Sequence, residues 1–461
     1  MDYSKYKDQP EFQTALKEMF SSLDDSVLNN PRYASIIEKI VEPDRIITFD
    51  VNWIDDKGEK HTNKGYRIQF NNANGVYKGG LRFHPSVTLS ILKFLGFEQI
   101  FKNYLTTLPM GGAKGGSDFD PKGKSDNEVR NFCYAFMKEL YPYIGVDLDV
   151  PAGDIGVGGR EIRYLYEAYK QYSGKSDCSL TGKPLDLGGS LCRTEATGYG
   201  VTYFARGALK EYKDTNFKGK RVVVSGSGNV ALYCLKKVTE YGGTVIAMND
   251  SDNTIYAPNG IDFETIRALK EDRRGRIKEY KDLVKDEVEV LGSKDIWSIK
   301  CDLAFPCATQ FELDEEDAKK LIANGCIGVF EGANMPCTME AAHLFITHKV
   351  IYSPGKASNA GGVAVSGLEI EQYQLGTIWN MVFAFPKMFA ATTFPLLAAS
   401  ILTPDTTNSL IRTTMTAAAD AYPISTKHTS TELTSALSAM GSRNFPSDVT
   451  RFLDLAIFPS R

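Results

Sequence analysis

The sequence predicts an α/β protein with two domains, and three observations support that fold class. The chain has 461 residues, more than one ordinary hydrophobic core accommodates. Its second half alternates short apolar runs with helical patterns, as parallel sheets do. In that half, the apolar run 221–224 leads directly into Gly226–Ala231, a G-x-G-x-x-A turn between a strand and a helix. We therefore expect an α/β domain followed by a Rossmann-like domain, with a cleft between them.

Composition and charge exclude several classes of partner. The chain is 43% hydrophobic and 24% charged, with a formal net charge of −4 and no long basic run. These values are typical of a soluble globular protein and argue against nucleic acid or an anionic membrane as a partner. The apolar run Met381–Leu402 contains Lys387 and two prolines, so we interpret it as buried core rather than a membrane span.

Cysteine and histidine usage argues against a metal site. Eight cysteines are scattered without a C-x-x-C pair, which indicates free thiols in a reducing compartment. Five histidines are dispersed, so we expect no metal. The first residues are polar and show no signal or transit pattern, so the cytoplasm is the expected location.

The first half reads as helices and paired strands before and between two glycine-rich segments. Apolar periodicity predicts two helices over Glu11–Ile40, and alternation predicts paired strands at Arg45–Trp53 and Gly65–Asn71. Helical periodicity returns over Ser86–Thr106 and over Ser125–Leu140, where Ser125 and Glu128 have capping-box spacing.

The glycine-rich segments Tyr77–Pro85 and Leu108–Pro121 each carry one lysine, Lys78 and Lys114. Glycine permits positive φ and close backbone approach, so both segments are predicted to be loops. A lysine held in a partly desolvated loop has a lowered pKa and can act as a base or nucleophile. The alternative interpretation is a surface turn with a solvated lysine.

A third lysine and an aspartate complete a candidate site. Lys102 shares a helix face with Gln99, three residues earlier. Three convergent ammonium groups suit a dianionic small molecule, although three independent surface lysines are the simpler alternative. Asp154 lies in a Gly/Pro segment and is predicted to face the lysines as the acid partner of Lys114. An isolated loop aspartate is usually only a turn residue.

The G-x-G-x-x-A turn predicts a dinucleotide site at the N-terminus of the helix that follows it. Asp250, after the next strand, favours NAD because such a carboxylate binds the ribose 2′-hydroxyl. Ser251 and a basic cluster favour NADP because they can neutralise a 2′-phosphate. That cluster comprises Lys270, Arg273, Arg274 and Arg276. The residues alone leave both cofactors open, and the cluster is equally readable as a solvated helix face.

Three further strands are predicted, each followed by a polar loop. They are 302–305, 327–330 and 350–353. Ligands of open α/β sheets bind at the carboxyl ends of strands. Asn334 and Asn359 are therefore expected to hold a nicotinamide ribose and amide, and Ser366 to reach across the cleft.

These segments resemble the hexameric glutamate dehydrogenases, in particular their NADP-dependent branch. The matching motifs are Tyr77–Pro85, Phe97–Lys102, Leu108–Pro121, Pro151–Gly158, Glu195–Gly200 and Lys356–Glu369. The resemblance implies an α/β substrate-binding and oligomerisation domain at 1–195, which 425–461 are a candidate to complete. It also implies a Rossmann domain at 196–424. It further implies a homohexamer that converts L-glutamate, water and NADP⁺ reversibly into 2-oxoglutarate, ammonium and NADPH.

The resemblance also assigns expected roles by motif. Lys78 and Ser366 resemble the pair that holds the substrate side-chain carboxylate, and Gln99, Lys102 and the Gly153 backbone resemble the α-carboxylate site. Lys114 resembles the catalytic lysine that activates water and stabilises the carbinolamine, and Asp154 the proton-transfer carboxylate. The expected cofactor contacts are Thr197, Gly226, Ser227, Gly228, Asn229, Val230, Asp250, Ser251, Lys270, Arg273, Asn334 and Asn359. Asp250-Ser251 with Lys270 and Arg273 matches the NADP-using branch.

The chain departs from the family pattern at two single residues and in its tail. Thr194 and Phe311 stand where the family usually has Pro and Asn. After about Glu371 the charged fraction falls, Ser, Thr and Ala increase, and family features end at Trp379. We interpret this tail as the product of a reading-frame or splicing error, with divergence as the alternative. Sequencing the transcript across the codons for Leu368–Trp379 distinguishes them, since an uninterrupted frame refutes the error.

Two other functions are compatible with parts of the pattern. A dehydrogenase of branched or aromatic amino acids would share the fold, but Lys78 and Ser366 oppose it because an apolar side chain needs apolar partners. A catalytically inactive nucleotide-binding or assembly protein is suggested only by the tail. The presence of Lys114 and Asp154 argues against it.

Overall fold

The computed structural model describes residues 3–21, 39–106 and 108–377, and these residues form two sheets with flanking helices. The strands are β1 Arg45–Ile54, β2 Lys60–Asn71, β3 Tyr77–Phe83, β4 Gly112–Ser117, β5 Asp149–Gly153, β6 Arg221–Val224, β7 Thr244–Asn249, β8 Asn253–Tyr256, β9 Glu289–Gly292, β10 Leu303–Phe305, β11 Gly328–Phe330 and β12 Ile351–Ser353.

The α-helices pack on the faces of these sheets. They are α1 Pro10–Ser21, α2 Leu89–Leu105, α3 Asp126–Leu140, α4 Gly159–Ser173, α5 Ala196–Lys213, α6 Asn229–Glu240, α7 Phe263–Arg267, α8 Glu315–Ala323, α9 Met339–Thr347, α10 Gly355–Ser358 and α11 Gly361–Gln374. Short 3₁₀ segments are Tyr3–Tyr6, Tyr141–Tyr143, Leu185–Leu187, Ile277–Asp282 and Ser293–Ser298, and Ala268–Asp272 is a π-helical turn. The capping box predicted at Ser125 and Glu128 is confirmed.

The first sheet has the strand order β1-β2-β4-β3-β5. The predicted pair Arg45–Trp53 and Gly65–Asn71 is confirmed as the antiparallel strands β1 and β2. Strand β4 pairs antiparallel with β2 and parallel with β3, and β3 pairs parallel with β5. This arrangement puts the two lysine-bearing segments on adjacent central strands.

The prediction that these two segments are loops is wrong. Tyr77–Phe83 and Gly112–Ser117 are strands in which every residue is buried. Their glycines permit close packing rather than turns. A Cβ at Gly79 would lie 1.6 Å from the carbonyl oxygen of Ala113, and one at Gly112 would lie 2.6 Å from Ile100 Cγ1. Only glycine allows strand and helix to approach this closely, which explains why a loop-like composition forms a sheet interior.

Two apolar clusters hold the first sheet between helix layers. On one side, Trp53, Phe83, Phe119 and Phe132 pack with residues of α3 and α4, and the rings of Phe119 and Phe132 stack with centroids 3.8 Å apart. On the other side, residues of α1 and α2 pack together over the sheet. Burial on both faces makes the central strands a rigid base for polar groups.

The second sheet has the order β12-β11-β10-β6-β7-β8-β9. Strands β12, β11, β10, β6 and β7 pair in parallel, while β8 and β9 extend the sheet antiparallel. The three strands predicted at 302–305, 327–330 and 350–353 are confirmed as β10, β11 and β12. Both sheets belong to one compact unit, and the predicted boundary at residue 195 stays a prediction.

Several predictions concern segments outside the described residues. These segments are the second predicted N-terminal helix over most of its length, the apolar run Met381–Leu402, and the segment 425–461. Among the helices that the structure does describe, none combines the length and apolarity needed to cross a bilayer.

Candidate active site

Lys114 lies on β4 with its ammonium group against Asp154, the residue that follows β5. Lys114 Nζ is 2.9 Å from Asp154 Oδ2, and Arg82 Nε donates to the same oxygen over 3.0 Å. Gly80 on β3 allows this approach, because a Cβ there would lie 3.0 Å from Asp154 Cβ and 2.7 Å from the carbonyl oxygen of Gly153. Two cations therefore share one nearly buried carboxylate oxygen.

This pairing sets the protonation of both groups. Burial lowers the pKa of the Lys114 ammonium, while the Asp154 carboxylate partly opposes that shift. Burial by itself would raise the pKa of Asp154, but Arg82 and Lys114 outweigh it and hold that pKa below its usual range. In the free protein Asp154 is thus ionised, and Lys114 gives up a proton more readily than a solvated lysine.

Lys102 and Gln99 on α2 face the same small cavity as Lys114. The cavity is lined by Leu95, Glu98, Gln99, Lys102, Lys114 and Asn334. Lys102 Nζ donates to Asn334 Oδ1 over 3.0 Å, and Gln99 Nε2 donates to Asn103 Oδ1 over 2.6 Å. Burial and the nearby Lys114 charge lower the pKa of Lys102 to about 8. The structure thus brings together two of the three predicted lysines directly.

Lys78 occupies β3 and is fully buried. Its Nζ has no hydrogen-bond partner within the described part of the chain. Burial, with the charges of Arg193 and Arg67 nearby, lowers the pKa of Lys78 to about 7. A buried amine without a partner costs several kcal/mol in a folded protein. Such a group is typical of an anion-binding site.

The partly buried Arg193 and the fully buried Glu369 are two charged residues that sequence reasoning missed. Arg193 Nε donates to Ser366 Oγ over 3.1 Å, so it links Ser366 to the surroundings of Lys78. Glu369 Oε1 is 2.6 Å from Lys183 Nζ, and its other oxygen accepts from the backbone N–H of Gly182 over 2.8 Å. Both contacts span more than 170 residues of sequence. The only local signal for Glu369 was its place at the end of the motif Lys356–Glu369, and Arg193 lies just before the motif Glu195–Gly200.

The glycine turn after β6 has the geometry that a dinucleotide pyrophosphate requires. Gly226 has φ +85°, and a Cβ there would lie 3.1 Å from the carbonyl oxygen of Cys307. Around Gly228, at the N-terminus of α6, nothing lies within 4 Å of a Cβ position. Ser227 and Asn229 flank this open space, and the Val230 carbonyl packs against Gly198 of α5. The free helix N-terminus and the open glycine suit a diphosphate.

At the rim beside Asp250, one residue of the predicted basic cluster reaches Ser251. Arg276 Nη2 donates to Ser251 Oγ over 2.8 Å and lies 3.2 Å from Asp250 Oδ1. Lys270 Nζ instead donates to the carbonyl of Gly275 over 2.7 Å. The Lys270 ammonium group also interacts electrostatically with the Asp250 carboxylate. The Arg273 side chain makes no hydrogen bond or ion pair within the described residues. Arg276 is therefore the basic group next to Ser251 in this structure, and the cofactor contacts predicted for Lys270 and Arg273 stay predictions.

Both oxygens of the Asp250 carboxylate already accept hydrogen bonds from the backbone. Its oxygens accept from the backbone N–H groups of Asp252, Asn253 and Ile277 at 3.0–3.1 Å, and the side chain is 7% exposed. A carboxylate that is nearly buried and already accepts these hydrogen bonds is poorly placed to accept one from a ribose 2′-hydroxyl. The geometry at this rim favours a 2′-phosphate held by Arg276 over the hydroxyl of NAD.

The remaining predicted cofactor residues line the opposite part of the cleft. Asn359 Nδ2 donates to Asn334 Oδ1 over 3.1 Å and to the carbonyl of Ala333, also over 3.1 Å. Asn334 Oδ1 thus accepts from Asn359 and from Lys102 of α2, which packs on the first sheet. Asn359 Oδ1 is buried without a partner among the described residues. Thr197 Oγ1 lies against Gly362 at the start of α11.

Comparison with known proteins gives consistent matches over most of the chain. The description "Glu/Leu/Phe/Val dehydrogenase, dimerisation domain" matches residues 43–171, and "Glutamate/Leucine/Phenylalanine/Valine dehydrogenase" matches residues 188–388. An NADP-specific glutamate dehydrogenase of Haemophilus influenzae is 54% identical over 377 residues, 81% of this chain and 83% of its own. The NAD-specific glutamate dehydrogenase of Bacteroides fragilis is 53% identical over 382 residues, 82% of this chain and 85% of its own.

A solved structure is also similar. The crystal structure of a Plasmodium falciparum glutamate dehydrogenase has a TM-score of 0.84 and 48% identity, and the match covers 89% of each chain. Relatives named for either cofactor thus occur at nearly equal identity.

Proposed function

This chain belongs to the Glutamate/Leucine/Phenylalanine/Valine dehydrogenase family, and on that premise we propose which of its residues perform the reaction. It is an NADP-dependent glutamate dehydrogenase, an oxidoreductase that acts on a CH–NH₂ group. L-glutamate, NADP⁺ and water are converted reversibly into 2-oxoglutarate, ammonium, NADPH and a proton. NADP⁺, when bound, supplies the chemistry of accepting a hydride from the substrate α-carbon.

The observation that carries the substrate assignment is the buried amine of Lys78, which lacks a partner among the described residues. A side-chain carboxylate of the substrate pairs with this amine, with Ser366 as its second contact. Arg193 adds a partly buried positive charge on the same side and orients the Ser366 hydroxyl. An apolar side chain would leave the amine unpaired, at a cost of several kcal/mol.

The second carboxylate of the substrate is assigned to Gln99, Lys102 and the backbone at Gly153. This assignment is supported by the shared cavity, which Gln99 and Lys102 line together with Lys114. Lys102 then exchanges its hydrogen bond with Asn334 for one with the α-carboxylate. A five-carbon diacid held at both ends has its α-carbon near Lys114 and Asp154.

Lys114 and Asp154 are assigned the proton transfers. Lys114, with its lowered pKa, takes a proton from the attacking water and stabilises the carbinolamine that forms on the substrate. Asp154 exchanges a proton with the substrate nitrogen, and Arg82 holds its carboxylate in place. Because Lys114 Nζ and Asp154 Oδ2 are 2.9 Å apart, a proton can pass directly between them.

The remaining assignments concern the frame around the site. We expect residues 1–195 and 196–424 to act as the two domains whose closure expels water from the cleft. We expect the active form to be a homohexamer in the cytoplasm. Size-exclusion chromatography with light scattering tests the hexamer, and a mass near one subunit of 51.0 kDa would contradict it.

One spectrophotometric assay tests the function. Purified full-length chain is mixed with 2-oxoglutarate, ammonium and NADPH, and the reaction is repeated with NADH. A parallel reaction replaces 2-oxoglutarate with 4-methyl-2-oxopentanoate. The expected result is oxidation of NADPH that requires ammonium and occurs with 2-oxoglutarate but not with 4-methyl-2-oxopentanoate. Preference for the branched oxo acid would indicate the apolar-substrate dehydrogenase, and no oxidation in any reaction would indicate an inactive nucleotide-binding protein.

A further inference from the structure

Phe311 combines two unfavourable features. It follows β10 with φ +55°, in the left-handed region that L side chains rarely adopt. Its side chain is also a large apolar group that is 44% exposed. Within the described residues no apolar packing compensates for either feature, because the ring belongs to none of the buried apolar clusters there. An imposed outlier of this kind is often part of a functional site.

The backbone around Phe311 is fixed on both sides. The Phe311 N–H donates to the carbonyl of Met335 over 2.9 Å, and Leu313 N–H donates to Pro336 over 3.0 Å. The carbonyl of Glu312 accepts from Trp297 Nε1 over 3.2 Å, and Glu312 Oε1 accepts from the Ala308 N–H over 3.0 Å. The left-handed conformation is thus imposed by the loop after β10 binding to the loop after β11.

This loop borders the dinucleotide turn. Ala308, at the start of the loop, has its Cα 3.2 Å from the position of a Cβ on Gly226. In the sheet, β10 lies on one side of β6, and β7, which leads to Asp250, lies on the other. The Phe311 loop is therefore on the half of the site away from the Asp250 rim. Its partner Met335 adjoins Asn334, which already contacts Lys102 of the substrate pocket.

We propose that the exposed Phe311 ring contacts the nicotinamide half of the bound dinucleotide and increases its affinity through apolar contact. The inference rests on the proposed cofactor and adds a contact made by this chain's own aromatic residue. A rigid ring at the edge of a planar ligand loses little conformational freedom on binding and gains buried apolar area. In the free protein the ring is exposed, and the bound cofactor buries it, while the loop keeps its backbone conformation.

Four variants separate the ring from the strain. Phe311→Ala removes the ring and keeps a left-handed L residue, while Phe311→Asn removes the ring and relieves the strain, since Asn tolerates this conformation. Phe311→Tyr keeps both. Lys349→Asn is the matched control, because Lys349 is an exposed residue with φ +59° that follows α9 and precedes β12. Each full-length variant is tested for NADPH affinity by the fluorescence of the dihydronicotinamide, and for the Tm of the free protein.

The expected result is an increase of about tenfold in the Kd for NADPH in Phe311→Ala and Phe311→Asn. Phe311→Tyr and Lys349→Asn should stay within about twofold of wild type by the same scale. Phe311→Asn and Lys349→Asn should both raise the Tm of the free protein. A Kd for Phe311→Ala and Phe311→Asn within about twofold of wild type overturns the inference. Wild-type protein that fails to bind NADPH overturns the proposed cofactor as well, so the two failures are distinguishable.

Discussion

The substrate pocket and the rim at Asp250 differ in how far their positive charges are buried and paired with protein groups. In the pocket, Lys78 is fully buried and its amine has no hydrogen-bond partner among the described residues. At the rim, the Arg276 side chain is 42% exposed and contacts Asp250, Ser251 and Asp252. The pocket amine therefore depends on a ligand for a partner, whereas Nη2 of Arg276 already has protein partners, although its buried Nε has none among the described residues.

This difference indicates how strongly each region can discriminate. A desolvated amine distinguishes a carboxylate from a methyl group by several kcal/mol, because the wrong ligand leaves the charge unpaired. A half-exposed guanidinium exchanges protein partners for phosphate in water, where ion pairs contribute about 1 kcal/mol and salt screens them. We therefore expect substrate selectivity to be strict and insensitive to salt, and cofactor selectivity to be modest and sensitive to salt.

The largest effect is expected in the pocket for Lys114→Ala. The variant removes the group assigned to activate water, so kcat should fall by at least about a thousandfold. The glycine turn and the Asp250 rim are untouched, so the Kd for NADPH should stay within about twofold. Steady-state kinetics and a fluorescence titration give the two values.

The exposed Lys122→Ala is the matched control for that variant, since Lys122 lies on the chain soon after β4 and faces solvent. It should retain wild-type kcat. If Lys114→Ala kept a kcat within about tenfold of wild type, Lys114 would lose its place in the mechanism.

The second effect is a change of substrate in Lys78→Leu. Without the amine, kcat/KM for 2-oxoglutarate should fall by about a hundred- to a thousandfold, and apolar 2-oxo acids should become relatively better substrates. Rates with 2-oxoglutarate and 4-methyl-2-oxopentanoate give the ratio. Lys93→Leu is the control, because Lys93 is also buried but lies over the rings of Tyr6 and Phe12 outside the pocket. Unchanged selectivity in Lys78→Leu would contradict the side-chain assignment.

The comparison also separates what sequence predicts from what it does not. Strands β1 and β2 were predictable because alternation along Arg45–Trp53 is a local signal. The glycine-rich strands were not, because glycine is a local signal for turns. Gly79 pairs in β3 with Pro151 of β5, and glycine is required there by the carbonyl of Ala113, 34 positions further along the chain. The local composition alone therefore points to the wrong element.

The same reasoning applies to the site residues. Lys78, Lys102 and Lys114 were found as candidates because each lies in a distinctive motif. Arg193 was missed because its importance comes from its contact with Ser366, 173 residues away. At the rim, Arg276 was one of four basic residues, and only the folded loop decides which of them reaches Ser251. Sequence identified the regions, while the pairing of charges needed the fold.

The third effect is on stability and depends on pH. The pKa of Lys78 is lowered to about 7 in the fold, against an ordinary value of 10.5. Between these values the unfolded chain binds more protons than the folded one, so the wild-type free energy of unfolding rises with pH across this window. Lys78→Leu lacks that dependence. It should be more stable than wild type by about 2–4 kcal/mol below pH 7, and the difference should shrink towards pH 10.

Urea unfolding of the free protein from pH 6 to pH 10, with ellipticity as the signal, measures this difference. Lys122→Leu is the control, because it makes the same substitution at a lysine that is exposed in the fold. A stability difference between wild type and Lys78→Leu that is constant over the whole range would show that Lys78 keeps its ordinary pKa in the fold.

The smallest effect is expected at the rim, for Arg276→Gln. Removing the guanidinium next to Ser251 should raise the KM for NADPH about tenfold and change the KM for NADH less than about twofold, since only the former carries a 2′-phosphate. Salt should reduce the wild-type preference for NADPH and have little effect in the variant. Arg273→Gln is the control, because its side chain makes no polar contact within the described residues. If instead Arg273→Gln lost NADPH preference and Arg276→Gln kept it, the bound 2′-phosphate would lie against the residue that sequence predicted, and the loop would have to rearrange on binding.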